Sequence, residues 1–269
     1  MIRAVFNRKG GVGKSSITCN LAAVAASKGK KALVVDMDPQ ANSTSYLGHN
    51  SKDDVVGIAE YLESTIAFKY RDFAPDDFVR PTRFDNLFLV SSNVALVDLE
   101  QKLESRHKIY KLREFLQSLS NEYDEIFVDT PPSLNFFSLS ALIAADRVLI
   151  PFDCDAFSRD ALIDLMMVLE EIREDHNELL EMEGVVINQF QARAKLPQAA
   201  VDELIKTGLP IVGPYISSSI KMKESHASKT PLIYLAPKHK LSLEFIELFS
   251  RLKKPGKTGK PAAASVASQ

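Results

Sequence analysis

Lys9-Gly10-Gly11-Val12-Gly13-Lys14-Ser15-Ser16 is the stretch on which the reading of this chain turns. Before it stands Met1-Ile2-Arg3-Ala4-Val5-Phe6, an apolar run that reads as a strand and lacks the long apolar stretch of a signal peptide. After it, Ile17, Leu21 and Val24 recur at helical spacing, and Gly29 supplies a stop. Strand, glycine-rich turn and helix in that order make a phosphate-binding loop. Glycines allow backbone N–H groups to converge on an anion without Cβ clashes, and the helix N-terminus adds its positive dipole end. Within such a loop Lys14 reaches the β- and γ-phosphates, and the Ser15 hydroxyl is placed to ligate Mg²⁺. The common G-x-x-x-x-G-K-[ST] spacing fails at its first position, where Arg8 stands, and a second lysine, Lys9, opens the loop instead.

Outward from the loop, short apolar runs alternate with helical patterns. Ala32-Leu33-Val34-Val35, Leu87-Phe88-Leu89-Val90, Ile126-Phe127-Val128, Val148-Leu149-Ile150 and Val185-Val186-Ile187 are continuous, as strands buried on both faces of a parallel sheet require. Leu162, Leu165, Met166 and Leu169 mark one helix between them, and Leu241 to Leu252 marks a last one. The alternation predicts an α/β fold, a doubly wound and mostly parallel sheet flanked by helices, with ligands bound at the carboxyl ends of the strands. Residues 48–85 carry no clear strand and read as short helices and loops. One domain is expected over residues 1–252. The stretch 253–269, rich in Lys, Pro, Gly, Ala and Ser without an acid, reads as a basic disordered tail.

Composition narrows the class. The 269 residues carry 33 Lys+Arg against 35 Asp+Glu, a net charge of −2, which excludes a uniformly basic nucleic-acid coat but leaves room for a local patch. Two cysteines, Cys19 and Cys154, are too few for a disulfide scaffold or a cysteine-rich zinc site and fit a reducing cytoplasm. No run of eighteen apolar residues is present, so no membrane span is expected.

The loop Lys9-Gly10-Gly11-Val12-Gly13-Lys14-Ser15 resembles the deviant Walker A motif of the ParA/MinD family of ATPases. Val34-Val35-Asp36-Met37-Asp38-Pro39-Gln40-Ala41-Asn42 resembles that family's second acidic motif, and Phe127-Val128-Asp129-Thr130-Pro131-Pro132-Ser133 its Walker B strand end. Ala141 to Pro151 continues the match, which runs to about residue 250 and leans toward the small ParA-type partition ATPases. The resemblance implies an ATPase with ATP and Mg²⁺ as ligands. ATP would be bound by Lys9, Gly10, Gly11, Val12, Gly13, Lys14, Ser15 and Ser16, with Asn188 at the end of a strand as a base contact. The metal would be held by Ser15, Asp129 and, in support, Asp36. Asp38 would orient the attacking water beside the catalytic Lys9 and Lys14. Each acid has a plainer reading as a turn cap, and Asn188 serves equally as a loop start. From strand parity, Asp36 and Asp38 are expected to point the same way, toward the nucleotide.

Lys9 is hard to explain within one chain that already has Lys14. The family precedent is a lysine reaching across an ATP-bound homodimer, and cations supplied in trans contribute ~10³–10⁵ in rate. The resemblance further implies a ParB-like or other cargo adaptor that stimulates hydrolysis, nucleoid association when ATP is bound, and non-specific DNA binding through Arg193, Lys221 and Lys223. Solvated surface charge accounts for those three cations as well. Ser217-Ser218-Ser219 stands where relatives carry Pro-Arg-Asn, so an arginine is missing there. The stripe Phe245, Ile246, Leu248, Phe249 and Leu252 reads as core rather than membrane anchor, and operator-specific DNA binding through a helix-turn-helix domain is not expected. A biosynthetic ligase of the dethiobiotin or cobyrinate type is the alternative, disfavoured by Lys9 and Asp38-Pro39-Gln40. An iron–sulfur ATPase needs two suitably placed thiolates per subunit, which Cys19 and Cys154 do not match.

Overall fold

A computed structural model describes residues 1–49, 56–67, 73–154, 159–192 and 195–252. Seven strands form one sheet: β1 (Ile2–Val5), β2 (Ala32–Asp36), β3 (Arg80–Pro81), β4 (Leu87–Val90), β5 (Glu125–Asp129), β6 (Arg147–Asp153) and β7 (Glu181–Asn188). Their order is β3-β4-β2-β5-β1-β6-β7, all parallel except the antiparallel edge strand β3. The mostly parallel, helix-flanked sheet expected from the apolar runs is thus present. The two-residue β3 lies inside the stretch read as strandless, because two residues carry no periodicity to read.

Each apolar strand residue is used. Ala4, Leu33, Val35, Ile126, Val128, Val148, Ile150, Val185 and Ile187 enter the core on one face of the sheet. Val5, Val34, Phe127, Leu149 and Val186 enter the core on the other. Period-two alternation with apolar residues at both phases is what a sheet covered on both sides demands. The helices at Leu96–Ser105, Lys111–Leu119, Phe136–Ala144 and Arg159–Asp175 pack on the first face. On the second lie α1 (Lys14–Ser27), the short helix Asn42–Tyr46, and helices Ile220–Ala227, Leu232–Leu235 and Lys240–Arg251. Every residue of α1 from Ile17 to Ala26 is buried, because the sheet covers one side and the C-terminal helices the other. Gly29 ends it at φ +79°, its N–H donating to the Ala26 carbonyl. Phe245, Leu248 and Leu252 are buried against α1, so the last apolar stripe is core. The segment 253–269, expected as a tail, lies outside the described residues. Among the described residues, no helix is long and apolar enough to cross a membrane.

The strands start around a buried charge. Arg3, on β1, pairs with Glu125 on β5 and, at 2.7 Å from Nε, with Glu183 on β7. Arg3 and both glutamates are buried, and Lys30 Nζ reaches the other Glu125 oxygen at 2.5 Å. Removing the cation would strand carboxylates in a dry site, which costs ~3–5 kcal/mol. Arg3→Met is expected to lower unfolding free energy by about that amount in urea titrations. A loss under about 1 kcal/mol would mean that the charges are hydrated.

Candidate functional site

The carboxyl ends of β1, β2, β5 and β7 bring the expected residues together. A cavity of about 350 Å³ is lined by Gly10, Gly11, Gly13, Lys14, Ser15, Ser16, Asp38, Gln40, Asn42, Pro132 and His226. It sits where β1 lies between β5 and β6 and the chain's crossovers part to opposite sides, the switch point at which α/β sheets take ligands.

The loop is braced through its carbonyls. Asn188 Nδ2 donates to Val12 O at 2.8 Å, Gln189 Nε2 to Gly11 O at 3.0 Å, and Asn7 Nδ2 ties the loop entrance to Pro151 O at 2.7 Å. Gly13 adopts φ +91°, and a Cβ there would fall 2.2 Å from the Asn188 amide nitrogen, so glycine is required. Gly13 caps α1, and the N–H groups of Gly13, Lys14, Ser15 and Ser16 have no acceptor among the described residues. Four open donors at a helix N-terminus suit an anion. Asn188, expected at the base, braces the phosphate loop here.

The two lysines differ. Lys14 is 7% exposed, and its ammonium donates to Asn7 O at 3.1 Å and Lys9 O at 3.0 Å. Burial lowers its pKa, while Asp129 and Asp38 pull it back up. Lys9 is exposed, and its ammonium makes no hydrogen bond or ion pair among the described residues.

Asp36 and Asp129 face each other in register across β2 and β5, both fully buried. Asp36 Oδ2 accepts from Thr44 N and Oγ1, both at 2.8 Å, and its Oδ1 from Asp38 N at 3.1 Å. Those bonds fill the carboxylate and cap the turn that follows. The strand stops at Asp36, so parity does not carry on to Asp38. Asp38 lines the cavity, whereas the buried Asp36 carboxylate is taken up by Thr44 and the Asp38 N–H. Asp129 Oδ2 accepts from Ser43 Oγ at 2.7 Å, while Oδ1 is buried without a hydrogen-bond partner among the described residues. That orphaned oxygen beside Ser15, with Lys14 nearby, is a donor set of the hard-oxygen kind that Mg²⁺ prefers.

Burial raises the pKa of both acids. The Asp129 charge adds to the effect at Asp36, where Thr44 opposes it, and the Ser15 and Ser43 hydroxyls oppose it at Asp129. Cys19, also beside Asp129, is buried against Ser43 Oγ at 3.2 Å with its thiol pushed up, which suits packing rather than cluster ligation.

Lys221 and Lys223 lie on helix Ile220–Ala227, Lys221 paired with Glu224 and Lys223 exposed. Arg193 falls outside the described residues. Two of the three serines that replace Pro-Arg-Asn have structural roles: Ser217 donates N–H and Oγ–H to Glu244, and Ser219 caps the helix by accepting from Lys221 N. Sequence reasoning missed Ser43, Thr44 and His226. The first two share the short helix after Asp38 with Asn42, an offset visible in the sequence, but His226 carried no signal.

Raised carboxyls bind protons more tightly folded than unfolded. Their stabilisation is full below about pH 4 and is lost as pH rises through neutrality. Without nucleotide or metal, Asp129→Asn is expected to gain stability relative to the natural chain between about pH 5 and pH 8, read from urea midpoints. A constant difference across that range would show that the pair is not desolvated.

A family model described as "AAA domain" matches residues 1–182. The chromosome partitioning protein ParA of Myxococcus xanthus is 36% identical over 205 residues, 76% of this chain and 70% of that protein. Among solved structures, cobyrinic acid a,c-diamide synthase from Mycobacterium smegmatis, with bound ATP analogue and magnesium, superposes with a TM-score of 0.82. It is 23% identical and covers 94% of this chain and 98% of its own. The ATP complex of McdA from Cyanothece gives 0.80 at 23% identity, covering 94% and 97%. At that identity the last two are likenesses of fold. With the braced glycine loop, its two lysines and the paired strand-end acids, the family match and the ParA relative show that the chain belongs to the ParA/MinD family of P-loop ATPases.

Proposed function

We propose that the chain is an ATP-dependent dimerising switch that positions or partitions DNA or a protein cargo over the nucleoid. The observation that carries this reading is the unequal state of the two loop lysines. Lys14 is buried within its own subunit, whereas Lys9 holds an unpaired ammonium in solvent at the loop entrance. A second phosphate-directed cation that no group among the described residues engages suits a partner's nucleotide.

ATP and Mg²⁺ fit the residues present. The open N–H groups of Gly13–Ser16 hold phosphate oxygens, and Lys14 exchanges its loop carbonyls for the terminal phosphates. Ser15 and the free Asp129 Oδ1 would hold the metal, which supplies charge neutralisation on the phosphates. Asp36 acts at one remove, by fixing the turn that presents Asp38 and Ser43. Asp38, at the cavity wall, orients the water for in-line attack. Lys9 of each subunit completes the other's site, so hydrolysis follows dimerisation and a cargo adaptor of the ParB type stimulates it.

Support for DNA comes from Lys221 and Lys223 on one helix, doubled in a dimer, and from relatives named as chromosome partitioning proteins. Contacts made through the backbone of DNA need such cations and weaken with salt. Likeness of fold to the cobyrinic acid synthase does not separate ligase from switch; Lys9 and the acidic turn favour the switch.

Lys9→Ala is expected to reduce ATP turnover by ~10³-fold or more while the monomer still binds nucleotide. Asp38→Ala should stop turnover and accumulate an ATP-bound dimer in light scattering. Turnover unchanged in Lys9→Ala, or a monomer at saturating ATP and Mg²⁺, would remove the switch reading. ATP-dependent retention on random duplex DNA should fade with rising salt and with Lys221→Glu or Arg193→Glu. Salt-insensitive retention would remove the backbone-contact reading, and no retention would point to a protein cargo alone.

A further inference from the structure

The phosphate cavity has a wall that the loop does not supply. His226, near the end of helix Ile220–Ala227, lines it with its Nε2 2.8 Å from the Ser16 hydroxyl, across 210 residues of chain. The imidazole stacks on Tyr46 with ring centroids 3.9 Å apart and planes 17° apart. Tyr46 is itself fixed: its hydroxyl lies 2.6 Å from Ser225 Oγ and accepts from Asn20 Nδ2 at 3.0 Å. The ring is therefore held on a buried, doubly bonded aromatic and cannot swing away without breaking that packing.

The hydroxyl of Ser16 has one proton. If Nε2 accepts that proton, Ser16 meets an arriving phosphate with lone pairs alone, which repel it. If Nε2 carries a proton and donates, Ser16 accepts from the histidine and turns its own proton toward the cavity. Two donors in series then point at an anion, the charge-assisted arrangement that strengthens such bonds. Ser16 stands one position beyond the lysine-serine pair, at the helix-N-terminal end of the cavity.

We infer that His226 is a positioning residue of the nucleotide site, donating from Nε2 to Ser16 so that the Ser16 hydroxyl donates to a nucleotide phosphate. The inference rests on the nucleotide-binding reading above and deepens it. It makes helix Ile220–Ala227, the one bearing Lys221 and Lys223, part of the phosphate site.

The test separates the ring from the donor. His226→Phe keeps a ring on Tyr46 and loses the Nε2 proton, whereas His226→Gln keeps an N–H donor and loses the ring. Affinity for fluorescent ATP and ADP analogues is measured in the natural chain, in both variants, in Ser16→Ala and in the Ser16→Ala/His226→Phe double variant, with melting curves confirming the fold. His226→Phe is expected to weaken both nucleotides about five- to tenfold, and His226→Gln to recover most of that. The double variant should lose no more than Ser16→Ala alone, because the two side chains act through one bond. Natural affinity in folded His226→Phe, or losses that multiply in the double variant, would overturn the inference while leaving the nucleotide reading intact. Failure of the natural chain to bind either analogue would remove both.

Discussion

Two carboxylates in register on adjacent parallel strands, both out of water, set the terms for everything around them. Asp36 and Asp129 are paired across β2 and β5, and the desolvation of each charge costs several kcal/mol before any partner is counted. The surrounding groups offset that cost unequally. Asp36 takes three hydrogen bonds from Thr44 and the Asp38 backbone, and so becomes an anchor for the turn. Asp129 takes one from Ser43 and leaves an oxygen unpaired, with the Lys14 ammonium as the near cation. A half-satisfied buried acid next to a glycine loop is costly as architecture and suited to chemistry, since under the proposed assignment a divalent cation would complete it.

The opposite end of the sheet handles buried charge in the other way. Arg3 joins β5, its neighbour, to β7, two strands distant, and Lys30 completes Glu125. The Arg3, Glu125, Glu183 and Lys30 charges are closed upon one another, which pins strand register. The Arg3 cluster is closed by its own partners, whereas Asp129 keeps an open oxygen. The distinction between a structural and a functional buried charge lies in that completeness rather than in burial itself.

Much of this was legible in the sequence. The β-branched runs gave six strands because residues buried on both faces must be apolar at both phases, and the glycine loop lay between strand and helix as its chemistry requires. The roles inside the site were less legible. Asp36 and Asp38 look equivalent on paper, two residues apart, yet the strand ends between them, and one carboxylate is spent on the turn while the other lines the cavity. Asn188 sits at a strand end where a base contact is plausible, but the tight approach at Gly13 engages its amide on Val12 O first. His226 was invisible because its partner Ser16 is brought to it only by the packing of two distant helices.

That packing ties the two helices at several points, not one. Besides the Ser16–His226 contact, Tyr46 bonds both Asn20 on α1 and Ser225 beside His226, and Asn20 Oδ1 accepts from Leu232 N at 2.9 Å. Every one of these groups is buried or half-buried, so none can be lost without leaving a polar atom unpaired. Helix Ile220–Ala227 consequently cannot shift independently of α1, and α1 begins at the phosphate loop. The phosphate loop and the helix that carries Lys221 and Lys223 are thus joined by a continuous set of hydrogen bonds. Under the proposed switch, a rigid link of this kind is where coupling between the phosphate loop and that charged helix would run.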